Sequence, residues 1–243
     1  MSGKNVVMIF AGGTGQRMHS GAVPKQFMEL YGKPVIVYTL EKFQAHGEID
    51  GIVVACLESW IPELEGLVER YGLSKVRAIV PGGSTGQESI YNGLVKLEEL
   101  YPEEDTAVLI HDGVRPLIDA DTISRNIRSI REHGNGITAS PAIETVMVRN
   151  ADDIDEVVDR SKCFSAKAPQ GFYLKDILAC HRKAISEGRN DFIDSAAMFS
   201  HYGNKLYPVE GSTDNIKITT PVDFHVFKAI LDSYKDQESN PNE

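Results

Sequence analysis

The sequence predicts an α/β fold: a Rossmann-like, mostly parallel sheet with flanking helices, interrupted late in the chain by a protruding β-arm. Strand-like and helix-like apolar periods alternate through most of the 243 residues, the pattern of a parallel sheet with crossover helices. A glycine-rich turn follows the first strand directly, where open sheets of this kind receive ligands. The alternation then stops between about 137 and 172, where short β-like pieces and polar turns take over.

Taken in order, residues 6–10 are an unbroken apolar run that reads as a buried strand. A helix is predicted over 34–44, with Val35, Tyr38, Leu40 and Phe43 as its apolar positions. Strands at 52–56 and 77–80 bracket a helix at about 61–71, which carries Leu64, Leu67 and Val68 at helical spacing. Another helix spans 87–100, a strand rich in branched residues follows at 107–111, and further helices cover 120–133 and 174–187. Between them the β-like pieces 137–142, 145–148, 155–158 and 163–167, joined by a polar turn at 150–153, predict a hairpin-like arm at about 137–172. Residues 234–243 are polar and rich in Pro, Asn and Glu, and read as a frayed tail. With neither an internal repeat nor a linker, 1–233 reads as a single domain.

Composition narrows the function classes. The apolar fraction is 42% and the charged fraction 25%, and no apolar run approaches the roughly 20 residues of a membrane helix. The start enters a β-like run without a signal-peptide h-region, so the protein is expected in the cytoplasm and away from membranes. Cys56, Cys163 and Cys180 are too few and too scattered to suggest a disulfide framework or a zinc site. His19, His133 and His181 show no ligand spacing and are expected at the surface, and His111 is expected to pack at a strand end. A formal net charge of −10 argues against a nucleic-acid partner, which needs a basic stripe. An anionic small ligand would instead need its cations gathered in one place.

The segment Ala11-Gly12-Gly13-Thr14-Gly15-Gln16-Arg17-Met18 offers that place, with Pro24-Lys25-Gln26-Phe27 close behind. Glycines at a strand's carboxyl end let backbone N–H groups approach phosphate oxygens, and Arg17 and Lys25 add two cations suited to a triphosphate. A P-loop would need Gly-Lys-Ser/Thr, and a dinucleotide fingerprint a glycine where Met18 stands. A glycine cluster alone could equally be a tight turn. Asp112 alone could bend a turn or cap a helix, and Thr145 and Arg160 could be surface residues of a hairpin.

Together with His111-Asp112-Gly113-Val114-Arg115-Pro116, Ala168-Pro169-Gln170 and Asp214-Asn215-Ile216-Lys217-Ile218-Thr219, these motifs resemble the cytidylyltransferase family. That family includes methylerythritol-phosphate and ribitol-5-phosphate cytidylyltransferases, and the resemblance runs from about Asn5 to Leu231. It implies a nucleotidyltransferase A-like fold and an enzyme that joins CTP to a polyol phosphate, releasing pyrophosphate, with Mg²⁺. By position, Arg17, Lys25 and Lys217 match catalytic, triphosphate-holding cations. Asp112 matches the metal-binding carboxylate, with Arg115 in the same motif. Ala11, Gly12, Gly13, Gly15, Gly83, Ser84 and Ser89 fall where the family holds the nucleotide. Thr145 and Arg160 match arm positions that bind the acceptor's phosphate across a homodimer interface, and Asp214 belongs to the substrate loop.

Two departures stand out. Gly86 occupies a position usually held by arginine, and Ile193-Asp194 replaces a Thr-Asp pair near the acceptor. Val158-Asp159-Arg160 and Asp214-Asn215 lean toward the methylerythritol type, and Gln26-Phe27 and the divergence near the acceptor lean toward the ribitol type, so the acceptor stays open. A sugar-1-phosphate nucleotidyltransferase shares the glycine loop, but lacks the segment from Asp214 to Thr219. A non-catalytic nucleotide-binding homologue would have no use for Arg17, Lys25, Asp112 and Lys217 together. A Rossmann oxidoreductase would bind nicotinamide and not CTP.

Overall fold

The computed structural model describes residues 3–13 and 23–239. In chain order the elements are β1 (Asn5–Ala11), a small hairpin β2 (Glu29–Leu30) and β3 (Lys33–Pro34), α1 (Val35–Ala45), β4 (Gly51–Cys56), α2 (Ile61–Arg70), β5 (Val76–Pro81) and α3 (Gly86–Leu100). Then follow β6 (Ala107–Asp112), α4 (Ala120–His133), β7 (Asn135–Pro141), β8 (Met147–Asn150), β9 (Asp153–Val157), β10 (Phe164–Tyr173), α5 (Leu174–Ser186), α6 (Ser195–His201), β11 (Pro208–Glu210) and α7 (Pro221–Ser239).

Seven strands form one sheet in the order β11-β7-β10-β6-β1-β4-β5. β1 runs parallel to both β4 and β6, β4 to β5, and β7 to β11; β10 alone is reversed against its neighbours β6 and β7. Strand periodicity splits the core in two. Val7, Ile9 and Ala11 of β1 pack on one face with Phe43 of α1, Leu64 of α2 and Ile127 of α4. Val6 and Met8 face the other way, toward Leu94 of α3, Ile177 of α5 and Phe199 of α6. Both faces of the central strands are covered, so they carry continuous apolar runs where a half-exposed strand would alternate. Phe227 of α7 closes a third cluster with Leu30, Val35 and Val114.

Local signals fix several ends. Thr85 caps α3 by accepting from Glu88 N at 3.1 Å, Asp119 caps α4 by accepting from Thr122 N at 2.6 Å, and α4 stops at Gly134 with φ 85°. The turn between β2 and β3 places Tyr31 and Gly32 at φ 54° and 72°, the left-handed pair that matches strand twist in a two-residue hairpin.

Three expectations change. The projecting arm is shorter than 137–172, because β7 and β10 pair with each other inside the central sheet. Only 142–163 projects, as the β8–β9 ribbon, whose residues are all exposed. The frayed tail does not begin at 234, since α7 continues through Ser239 and Tyr234 donates to Asp214 Oδ2 at 3.0 Å. His181 is 1% exposed on α5 and stacks at 5.9 Å from Tyr91. Its apolar neighbours on the α5 face carry it inward despite its polar ring.

Candidate active site

The chain runs β1, β4, β5 to one side of β1 and then returns to place β6 on the other side. The crevice beyond the carboxyl ends of two such strands, where the order reverses, is where open α/β sheets bind ligands. Phe10 pairs with Asp112 across that junction, so the glycine turn after β1 and the acidic end of β6 lie side by side. A cavity of about 380 Å³ opens there, lined among others by Phe10, Thr85, Asp112, Arg115, Lys167 and Lys217.

The turn after β1 is held from below. Gln26, 1% exposed, donates through Nε2 to the carbonyls of Ala11 at 2.7 Å and Gly13 at 3.1 Å. A side chain at Gly12 would put its Cβ 3.2 Å from Ser89 Oγ, so this position admits no larger residue without displacement. Ser89 Oγ accepts from Gly83 N at 2.9 Å and donates to the Thr85 carbonyl at 2.8 Å. Ser84 gives both its N–H and its hydroxyl to Glu88 Oε2, at 2.7 and 2.6 Å, which holds the Glu88 carboxyl below its usual range. Ala11, Gly12, Gly13, Gly83, Ser84 and Ser89 thereby come together around the start of α3.

The charged centre is Asp112. Lys217 Nζ sits 2.6 Å from Oδ1, and Arg115 Nε donates to Oδ2 at 2.9 Å. Burial alone would push this carboxyl up, but the charges and hydrogen bonds of Lys217 and Arg115 outweigh it and bring it down to about 2. Asp112 is therefore a carboxylate at any physiological pH. Beside it His111, 1% exposed, is pushed down to about 4 by burial, with Arg115 and Lys217 acting in the same direction against Asp112. A neutral ring whose Nε2 lies 3.3 Å from the Arg115 carbonyl is a packed strand-end residue.

Around this centre the segment 211–217 is tacked down at several points. Arg115 Nη1 donates to the Asn215 carbonyl at 2.8 Å, and the fully buried Asn215 donates to the Ala168 carbonyl at 2.7 Å. Lys167 Nζ donates to the carbonyls of Ser212 and Thr213 at 3.1 and 3.0 Å. Asp214 faces α7, where it accepts from Tyr234.

Other expected site residues lie elsewhere. Gly15 and Arg17 fall outside the described residues. Lys25 belongs to a short turn whose residues are absent from the cavity's described lining; burial pushes Asp223, at the start of α7, up, but hydrogen bonds from Thr220 and Thr219, and after them the Lys25 charge, hold it below the usual carboxylate range. Thr145 and Arg160 sit on the exposed arm, where Arg160 Nη1 donates to the Ile143 carbonyl at 3.0 Å. One chain does not bring them to the cavity.

Three residues at the cavity carry no site role in the sequence reading. Gln170 donates to Asp194 Oδ2 and accepts from Ala196 N, each at 2.9 Å, fixing the cavity wall to the start of α6. His181 also lines the cavity, and neither ring nitrogen has a hydrogen-bond partner among the described residues. Lys167 adds a third cation. Only the Ala168-Pro169-Gln170 motif immediately after it marked the neighbourhood. The departures noted in the sequence fall on the cavity as well: Gly86 lines it, and Ile193, 91% exposed, stands at its edge. Among the described residues no three His, Cys, Asp or Glu side chains gather as a metal cage.

Comparison with known proteins agrees with this geometry. Residues 5–233 match the family model for IspD, 2-C-methyl-D-erythritol 4-phosphate cytidylyltransferase. A ribitol-5-phosphate cytidylyltransferase of Vibrio parahaemolyticus is 52% identical over 230 residues, covering 94% of this chain and 96% of the relative. A 2-C-methyl-D-erythritol 4-phosphate cytidylyltransferase of Clostridium botulinum is 36% identical, covering 94% and 98%. Among solved structures, 4-diphosphocytidyl-2C-methyl-D-erythritol synthase of Anaerococcus prevotii superposes with a TM-score of 0.81 at 27% identity, covering 95% of this chain and 97% of that one. The α/β fold expected from the sequence is the fold of these structures.

Proposed function

Because the chain belongs to the IspD family of cytidylyltransferases, we propose that it transfers CMP from CTP to ribitol 5-phosphate, forming CDP-ribitol and pyrophosphate. The observation that carries the choice of acceptor is the 52% identity to a ribitol-5-phosphate enzyme, against 36% to a methylerythritol-phosphate enzyme over the same length. Sugar-1-phosphate transfer, a non-catalytic role and nicotinamide chemistry have no comparable support.

A phosphate oxygen of the acceptor attacks the α-phosphorus of CTP, and the bond to the bridging oxygen of the β-phosphate breaks as pyrophosphate leaves. The attacking oxygen is already ionised at neutral pH, so the protein's work is positioning and charge neutralisation. The cradle formed by Gly12, Gly83 and Ser89 receives the nucleotide, and Lys217 and Arg115 oppose the charge that builds on the triphosphate. Arg17 and Lys25 are assigned the same task from the loop after β1.

Asp112 fits a magnesium ion: it is ionised, partly open to the cavity, and needs only phosphate and water oxygens beside it to complete a hard-ligand shell. Bound there, the ion would screen the triphosphate's charge. Lys217 pairs with Oδ1, and a cation taking that oxygen would release its ammonium toward the triphosphate.

The arm supports a homodimer. On the arm and at its base Ile143, Ile154, Val157 and Phe164 are 75, 59, 64 and 58% exposed, apolar surface that a second copy of the chain could cover. Such a dimer would carry Thr145 and Arg160 to a neighbouring cavity. Among the described residues no helix is long and apolar enough to cross a membrane, and a cytoplasmic location is part of the same reading.

The deciding experiment is pyrophosphate release from CTP and Mg²⁺ with ribitol 5-phosphate, methylerythritol 4-phosphate and glycerol phosphate offered separately. Highest kcat/KM with ribitol 5-phosphate is expected. Preference for methylerythritol 4-phosphate would reassign the acceptor, and no release with any of them would remove the activity.

A further inference from the structure

Two polyanions must meet in this cavity, and two of the described cations that line it already face a carboxylate. Arg115 and Lys217 are both engaged with Asp112. Arg160 lies on the exposed arm, where it donates to the Ile143 carbonyl. Lys167 is different. It lines the same cavity from β10, in the strand that borders β6.

Its ammonium donates to two carbonyls, those of Ser212 and Thr213. An ammonium has three N–H donors, so one remains after both are satisfied. Neither carbonyl carries a formal charge, so the positive charge is held in place without being cancelled. Burial and the nearby Arg115 guanidinium push the Lys167 amine down, with Asp214 acting the other way. A site that already crowds two cations is relieved by an incoming anion, and a pre-oriented lysine gives it a donor at little cost in side-chain freedom.

We propose that Lys167 is a specificity-determining residue for the acceptor: moored on the carbonyls of Ser212 and Thr213, it takes a phosphate oxygen of the polyol phosphate from within the same chain. The nucleotide, cradled across β1 and the start of α3, lies outside its role. This rests on the cytidylyltransferase reading, and deepens it by giving the acceptor phosphate a binding partner that the arm of another subunit does not have to supply.

The test is steady-state pyrophosphate release by the full-length enzyme, with ribitol 5-phosphate and CTP varied independently, for wild type, Lys167→Met, Lys167→Gln and Lys167→Arg. For Lys167→Met the KM for ribitol 5-phosphate is expected to rise at least tenfold, while the KM for CTP changes less than threefold. Lys167→Gln, which can still hold one carbonyl of the loop but has no charge, should match Lys167→Met. Lys167→Arg should recover most of the acceptor affinity. If the CTP and acceptor constants rise together in Lys167→Met and Lys167→Gln restores both, the lysine is only a tether for the loop that bears Lys217, and the proposal is overturned. Unchanged constants in all three variants overturn it as well. A wild-type enzyme that releases no pyrophosphate with any polyol phosphate would instead remove the cytidylyltransferase reading, a result read before any variant is compared.

Discussion

Replacing His181 by leucine is expected to stabilise the protein, and to stabilise it more in mild acid than at neutral pH. The ring is 1% exposed, and neither nitrogen has a partner among the described residues. A buried donor or acceptor left unpaired costs about 1–3 kcal/mol, and an apolar side chain of similar volume costs less than about 1.5 kcal/mol in repacking. At pH 7.5 the gain is therefore expected near 1 kcal/mol. Burial also pushes the imidazole down from 6.5 to about 4. The unfolded chain binds that proton first, so the wild type is at full strength above pH 6.5 and weakens as the pH falls toward 4. Linkage puts the loss at about 2 kcal/mol by pH 5. The leucine variant lacks this loss, whereas His111, lowered to a similar degree, weakens both proteins alike. Urea unfolding at equal protein concentration can be followed through Trp60, the sole tryptophan, stacked 4.6 Å from Phe27. The stability gap between variant and wild type should widen by about 2 kcal/mol from pH 7.5 to pH 5. A gap that stays constant, or a variant weaker at both pH values, would mean that His181 is bonded or charged in the native protein, and the reasoning would be wrong.

Removing the ammonium with Lys217→Met should lower kcat by about 10²–10³-fold, the usual loss for one donor at a developing charge; a variant with wild-type turnover would take Lys217 out of the mechanism. Chelation with EDTA should stop pyrophosphate release and added Mg²⁺ restore it, and Asp112→Asn should not be rescued by any Mg²⁺ concentration. Asp194→Ala removes both the cap on Ala197 N, at 2.7 Å, and the partner of Gln170, so thermal melting should show a loss of about 1–2 kcal/mol. If the proposed arm-mediated dimer forms, Val157→Asp together with Ile154→Asp should dissociate it in sedimentation velocity, and a wild type that sediments as a monomer would contradict the dimer itself.

Most of the central sheet was legible because its strands are buried on both faces, and so read as plain apolar runs in β1, β4 and β6. What the sequence hid depended on partners distant in the chain. β7 and β10 read as parts of an arm because their edges look like any short β piece; only the pairing of β10 with both β6 and β7, and of β7 with β11, shows them to be interior. α7 was passed over although Thr220, Pro221 and Asp223 spell a helix start, with Asp223 Oδ2 accepting from the N–H of Thr219 and Thr220 at 2.8 and 2.7 Å. The site was legible where glycines and charges cluster locally, as at Gly12 and Asp112. It was not where a side chain reaches across the fold, as Gln26 does to Ala11, Gln170 to Asp194 and Lys167 to Thr213.

The register that sets Phe10 opposite Asp112 has a consequence for how the molecule is made. The two walls of the crevice are separated by the whole β4-to-α3 excursion, and the loop that brings Lys217 lies more than a hundred residues beyond Asp112 in the chain. Closing such long intervals is slow compared with forming local helices. The complete site, from the glycine turn to Lys217, therefore exists only once these distant segments have folded together. CTP should accordingly shield only the finished molecule from proteolysis, adding about 2.7 kcal/mol at one hundred times its dissociation constant, and give truncated chains nothing.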